Sequence, residues 1–258
     1  MRVLLGLFLI LCGCAPRGGG DTHIPDQTEA QVRTGQARRT SAFRDLVARG
    51  VIEFRWTDDD GNHKQQGDLD FWKQGPSVSI RISKLGEPLV WLGGGQDSYW
   101  FFDLLDDETT LTLGGDNAIF SDISTTLILL GLDPLPAGEM KISGGIVTLR
   151  DELDRSWTAT FEPTTNRPLK IQVDRGNSKA SALHRTGILV EIANKLELYW
   201  PMTGGLIDIE DSREETKIKI AFSSISTIVD EEPMDRVFNL DFLKRALKPS
   251  VIIDQTLE

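Results

Sequence analysis

Few residues in this chain could do covalent or metal chemistry. The only two cysteines, Cys12 and Cys14, stand two positions apart after an apolar run. A metal site built on that pair needs further ligands, and only His23, His63 and His184 are on offer. A disulfide between them would close too small a loop to stabilise a fold. Asp58, Asp59 and Asp60 lack the further ligands and closing Glu of a calcium loop, so Asp60-Gly61 reads as a hairpin turn. Asp68 and Asp70 could act as a carboxylate pair. They alternate with Leu69 and Phe71, however, which is the pattern of the wet side of an antiparallel strand. Gly93-Gly94-Gly95 precedes no helix and reads as a turn rather than a phosphate cradle. The chain has no G-x-S-x-G, H-E-x-x-H or P-loop motif. His184 is expected to be hydrogen-bonded rather than to act as a general base. The expectation is a protein without catalytic activity, resident metal or cofactor.

Cys14 carries a different chemistry. One basic residue, Arg2, precedes an apolar run from Val3 to Leu11. That run is far short of the ~20 residues that span a bilayer as a helix, and it matches the apolar region of a secretory signal. Leu11-Cys12-Gly13-Cys14 then resembles the bacterial lipobox: aliphatic, small, Gly or Ala, Cys. The resemblance implies that residues 1–13 are a lipoprotein signal peptide and that Cys14 becomes the lipid-modified first residue. Cys12 leaves with the signal; choosing it as acceptor would put Leu11 where a small residue belongs. No disulfide can then form. Residues 14–28 are rich in Gly, Pro and polar residues and read as a tether, reaching roughly 20 Å. Ala15 rather than Asp follows the cysteine, and the enterobacterial sorting rule then implies the outer membrane, facing the periplasm.

Composition narrows the partners. The 258 residues are 40% hydrophobic and 26% charged, as in ordinary globular proteins, with a formal net charge of −11. That balance argues against nucleic acid, which needs a positive footprint. It argues equally against broad adhesion to anionic lipid.

Positioning falls to a β-rich body, residues 29–258, expected as a single domain. A helix is expected from Glu29 to Arg49, with Phe43, Leu46 and Val47 as its apolar stripe and Gly50 as its stop. Six strand signals follow: "VIEFRW", "QQGDLDFW", "SVSIRIS", "PLVWLGGG", "DSYWFFDLL" and "TTLTLGG". From Asp116 the period becomes helical, with Ile119, Ile123, Leu127 and Leu130 in line and Gly131 and Pro134 beyond. Phe120, Ile128 and Leu129 fall off that stripe, so this helix wants burial on more than one side. Strand signals then resume from "EMKIS" to "TKIKIAFSSI", including "ILVEIA" and "LELYWP". A short helix from about Asn239 precedes a closing "SVIID". Periodicity favours one large antiparallel sheet, with two sandwiches as the alternative. Adjacent aromatics at 71–72 and 100–101 imply that both faces of the sheet are covered somewhere, or that one is a partner surface.

The layout resembles the LolA/LolB-like superfamily of bacterial lipoprotein carriers and receptors. "GVIEFRW", "QQGDLDFW" and "SVSIRISKLGEPLVWLGGGQDSYWFFDL" carry the resemblance, which covers residues 29 to 222. It implies a mainly β fold with α (α+β): a large curved antiparallel sheet forming an incomplete β-barrel, closed by a central and an N-terminal helix. It further implies an apolar cavity for acyl chains, with Trp56, Trp91, Phe101, Ile119, Ile123 and Leu127 as candidate lining. For the tryptophans the other reading is core packing. Leu85, in the loop between the third and fourth strands, matches a membrane-contacting leucine of LolB-like members; the other reading is a hairpin residue packed on the sheet. The expected function is a lipid-anchored envelope protein that binds acyl chains or a lipidated client in lipoprotein or lipid trafficking. The alternative is an envelope scaffold or sensor with a protein partner.

Overall fold

The computed structural model describes residues 27–58, 61–95, 99–105, 108–114, 123–176, 178–192, 201–212, 215–229 and 231–255. The signal, Cys14 and most of the tether lie outside these residues, as does Ile119.

Helix α1 spans Glu29–Ala42. Thr28 caps it: its hydroxyl accepts from the Gln31 amide while the Gln31 side chain returns to the Thr28 N–H, a capping box. The helix stops seven residues before the expected Arg49. Its buried face is Val32, Gly35, Gln36 and Arg39, whereas Leu46 and Ala48 belong to the first strand. The spacing of Phe43, Leu46 and Val47 imitates a helical stripe. The stronger pattern is a period of two through Leu46, Ala48, Ile52 and Phe54, all turned inward. Gly50 is therefore not a helix stop. It sits at a bulge where a Cβ would collide with the Ala221 carbonyl of the neighbouring strand.

Two antiparallel meanders make up the sheet. The first is β1 (Asp45–Asp58), β2 (Gly61–Gln74), β3 (Ser77–Lys84), β4 (Glu87–Gly94), β5 (Tyr99–Asp103) and β6 (Thr110–Leu113). Helix α2 (Ile123–Leu129) follows. The second meander is β7 (Glu139–Ser143), β8 (Ile146–Arg150), β9 (Ser156–Phe161), β10 (Pro168–Asp174), β11 (Lys179–Leu189), β12 (Met202–Asp211) and β13 (Thr216–Ser226). Strand β13 returns to pair antiparallel with β1, fusing both meanders into one sheet. After α3 (Glu231–Val237) and α4 (Leu240–Leu247), β14 (Val251–Asp254) adds parallel to β6. The order is β14-β6-β5-β4-β3-β2-β1-β13-β12-β11-β10-β9-β8-β7, and the sheet does not close into a barrel. Strand β11 replaces the expected "ILVEIA" strand, and most of "LELYWP" lies outside the described residues.

On the inner face, α2 buries Ile123, Thr125, Thr126, Leu127, Ile128 and Leu129, the all-round burial its sequence asks for. Polar ties fix its surroundings. Arg155 donates to Thr125 Oγ1 at 3.0 Å and to Asp151 Oδ2 at 2.6 Å, and the Trp157 indole donates to the same carboxylate at 2.9 Å. The buried Arg39 donates to the carbonyls of Met202 and Gly131, and the Gln36 side chain accepts from the Leu135 N–H at 3.2 Å. Lys73, fully buried on β2, meets Asp133 at 3.4 Å and donates to the Gly75 carbonyl at 2.6 Å.

The outer face is covered where aromatics double up. Trp100, Phe102 and Leu111 pack under Leu243 of α4, and all four are buried. Asn239 caps α4 by accepting from the Phe242 N–H at 2.8 Å. Trp72 and Phe71, like Trp100 and Phe101, alternate between the two faces.

Candidate functional site

The inner face is filled unevenly. Under the second meander the core is tight: Trp157, Val173, Ala182 and Ile207 are each at most 1% exposed. Under the first meander a cavity of about 220 Å³ remains. Phe54 and Trp56 from β1, Ile82 from β3, Leu92 from β4 and Phe101 from β5 form its walls. Each strand supplies alternate residues to this face, so the lining follows from the period of two in "VIEFRW" and "SVSIRIS". Leu105, 45% exposed, stands at the rim. Trp56 is braced by His63 across the β1–β2 pair, with ring centroids 5.0 Å apart and planes 15° from parallel.

Of the residues singled out in the sequence, Trp56 and Phe101 meet at this cavity. Ile123 and Leu127 are buried side chains of α2 within the packed core and do not line it. Trp91 points to the opposite face: its register partners are Arg81 and Phe102, and its indole donates to Ser79 Oγ at 2.9 Å. There it stacks with Trp72, and the Arg81 guanidinium lies over both rings. Alternation in "PLVWLGGG" separates Trp91 from Val90 and Leu92, but only the fold decides which set faces inward. Phe54, Ile82 and Leu92 complete the walls. The alternation that places Trp56 would have found them.

Leu85 packs on nothing. With Gly86 it forms the two-residue turn between β3 and β4, and it is 95% exposed. Both residues have positive φ, 54° and 90°, the left-handed geometry that favours Asn and Gly in such hairpins. A leucine here is both unfavourably exposed and backbone-strained.

The acid–base candidates resolve structurally. Asp70 faces outward and pairs with Arg81 at 2.6 Å and Arg49 at 3.7 Å. His184 is buried on β11, with Nε2 2.8 Å from the Leu129 carbonyl at the end of α2. Burial first, then the positive charges of Arg39 and Arg167, lower its pKa to about 4, against the raising effect of that hydrogen bond. His184 is therefore neutral at pH 7, with Nε2–H donating. Among the described residues no group of three His, Cys, Asp or Glu side chains could hold a metal ion, and no helix is long and apolar enough to cross a membrane.

No protein-family model and no curated protein matches this chain in sequence. Its fold does have solved counterparts. A domain assigned to outer membrane lipoprotein sorting from Vibrio parahaemolyticus is similar at TM-score 0.50 and 12% identity, over 84% of this chain and 97% of that one. A LolA superfamily protein from Nitrosomonas europaea aligns at TM-score 0.50 and 11% identity, over 82% of this chain and 99% of its own. The fold is LolA-like. The LolA-like fold thus accommodates both meanders, and the cavity lies within it.

Proposed function

We propose that this protein is a non-catalytic, lipid-anchored envelope protein that takes an acyl chain of a lipid or lipidated client into the inner cavity. The observation that carries this reading is an apolar cavity under one arm of a LolA-like sheet. About 220 Å³ is below the ~300–1,000 Å³ of drug-sized pockets, so it accepts the end of one chain rather than a whole lipid. Each methylene buried there contributes roughly 0.8 kcal/mol, which gives chain-length-dependent binding without a specific polar contact. In this reading Cys14 bears the anchor, Leu85 touches the bilayer, and the protein serves lipid or lipoprotein trafficking at the periplasmic face of the outer membrane. The exposure of Leu85 supports its part: holding its side chain in water is unfavourable, and inserting it in lipid recovers that term.

The test is binding of brominated fatty acids to the chain from Ala15 onward, read by quenching of tryptophan fluorescence. Quenching that disappears in Trp56→Phe and is abolished by Leu92→Trp supports the cavity. Absence of quenching, together with no lipid in a native extract by mass spectrometry, overturns it and favours a scaffold with a protein partner.

A further inference from the structure

The outer face of the sheet carries a second, larger concavity, away from α4. A trough of about 510 Å³ lies beside the β3–β4 hairpin, over strands β1, β2, β13 and β12. Its apolar surface is Val51, Ala221 and Leu206, with Leu85 at one end, and Val51 is 53% exposed. The volume falls within the range of ligand pockets. A bulge between Ile82 and Ser83 breaks the β3–β4 register just below the hairpin tip that forms one wall.

Charges on the trough are of two kinds. Glu53 is already engaged: Lys64 at 2.9 Å, with Gln66 and Arg55, holds its carboxyl down at about 2. Asp68, Lys84 and Lys219 also line the trough and are exposed, and none has an ion-pair partner among the described residues. An apolar strip bordered by the solvent-exposed ammonium groups of Lys84 and Lys219 and the exposed carboxylate of Asp68 complements a zwitterionic amphiphile. A purely anionic lipid would satisfy the lysines and leave Asp68 opposed to its phosphate.

We infer that this trough seats a phospholipid with a primary-ammonium headgroup, its phosphate on Lys84 and Lys219, its ammonium on Asp68 and its glycerol region on Val51, Ala221 and Leu206. Leu85, entering the bilayer from the same hairpin, would bring the trough to the headgroup layer. A primary ammonium donates hydrogen bonds to the Asp68 carboxylate, whereas a quaternary ammonium has none to give. Ethanolamine headgroups are therefore preferred over choline. The inference rests on the bilayer contact of Leu85 in the proposed function but does not use the inner cavity, so loss of acyl binding and loss of the headgroup preference are read separately.

The experiment is flotation of the chain from Ala15 onward, which keeps every described element, with vesicles of phosphatidylcholine alone or mixed equally with phosphatidylethanolamine or phosphatidylglycerol. A charge-assisted hydrogen bond predicts about tenfold tighter binding to the ethanolamine vesicles than to choline alone. Asp68→Asn should erase that preference, the double variant Lys84→Glu with Lys219→Glu should weaken binding to all three, and Leu92→Trp should change neither. All these outer-face substitutions are at exposed positions, and unchanged circular dichroism verifies folding. Equal binding to ethanolamine and choline vesicles, or a preference that survives Asp68→Asn, overturns the inference. So does tightest binding to phosphatidylglycerol that Asp68→Asn strengthens further, which would assign the trough to anionic lipid.

Discussion

The two meanders share strand geometry and one continuous sheet, yet they hold their interiors in opposite ways. Beneath β8 to β12 the sheet is pinned by buried polar groups: Asp151 accepts from Arg155 and Trp157, and His184 meets the end of α2. Around the cavity beneath β1 to β5 the walls are mostly apolar, space remains between Phe54, Ile82 and Phe101, and the buried Lys73–Asp133 pair of that arm does not line it. Hydrogen bonds demand a fixed length and direction, which sets the spacing around Asp151. Apolar walls make no such demand. The contrast teaches that one continuous sheet can hold a tightly packed arm beside an arm with unfilled space.

The first way to break this contrast is at the pinned arm. Asp151→Ala leaves the half-buried Arg155 guanidinium and the buried Trp157 indole without their acceptor, a loss on the order of 3 kcal/mol. Denaturant titration should show that loss, while acyl-probe binding per folded molecule stays near wild type. Unchanged stability would dissolve the distinction between the arms.

Acid probes the same arm more gently. The pKa of His184 is about 4 in the folded protein, against 6.5 for the free group. The unfolded chain therefore takes up a proton first as pH falls. Stability contributed by neutral His184 is complete above 6.5 and is lost as pH drops toward 4, by up to about 3 kcal/mol. For Asp151, burial alone would raise the carboxyl. The hydrogen bonds from Trp157 and Arg155 outweigh that and hold it below its ordinary 3.8, so its loss comes at still lower pH. Urea midpoints measured across this window should fall, and His184→Gln should flatten the dependence.

At the receptive arm, Leu92→Trp should fill space rather than force it. Stability is expected to change by at most about 1 kcal/mol, far less than overpacking a filled core costs, while acyl binding disappears. A loss of several kcal/mol would mean that the cavity walls cannot move apart. The smallest effect belongs to the turn. Leu85→Gly relieves a left-handed leucine and should gain about 0.5–1 kcal/mol, while vesicle association falls. Loss of stability at that position would indicate that Leu85 is packed after all.

Sequence alone made the receptive arm more legible than the pinned one. Alternation in "VIEFRW" and "SVSIRIS" gave the strands and which residues share a face, and the helical period at Ile123 and Leu127 gave α2. What it could not give was which face of β4 turns inward, and so Trp91 was grouped with Trp56. Strand β11 escaped because its inward residues, Ala180, Ala182 and His184, are too small or too polar to register as an apolar alternation. The first six residues of β1 were hidden behind a helix-like spacing of Phe43, Leu46 and Val47, with Gly50 imitating a helix stop. Those misreadings share one cause: bulges and buried polar groups are set by the neighbour across the sheet, which has no local signature.

The seam between β1 and β13 bears on how the molecule comes to be. Ser223 donates to the Arg49 carbonyl across 174 positions of chain, so the middle of the sheet is among its most distant pairings in sequence. Each meander can zip from local hairpins, but the join must wait until nearly the whole polypeptide is available. Folding of this kind is slow, because the loop entropy is spent before the contacts reward it. For a chain delivered across a membrane from its N-terminal end, that delay keeps the first arm unlocked until the last strands arrive on the far side.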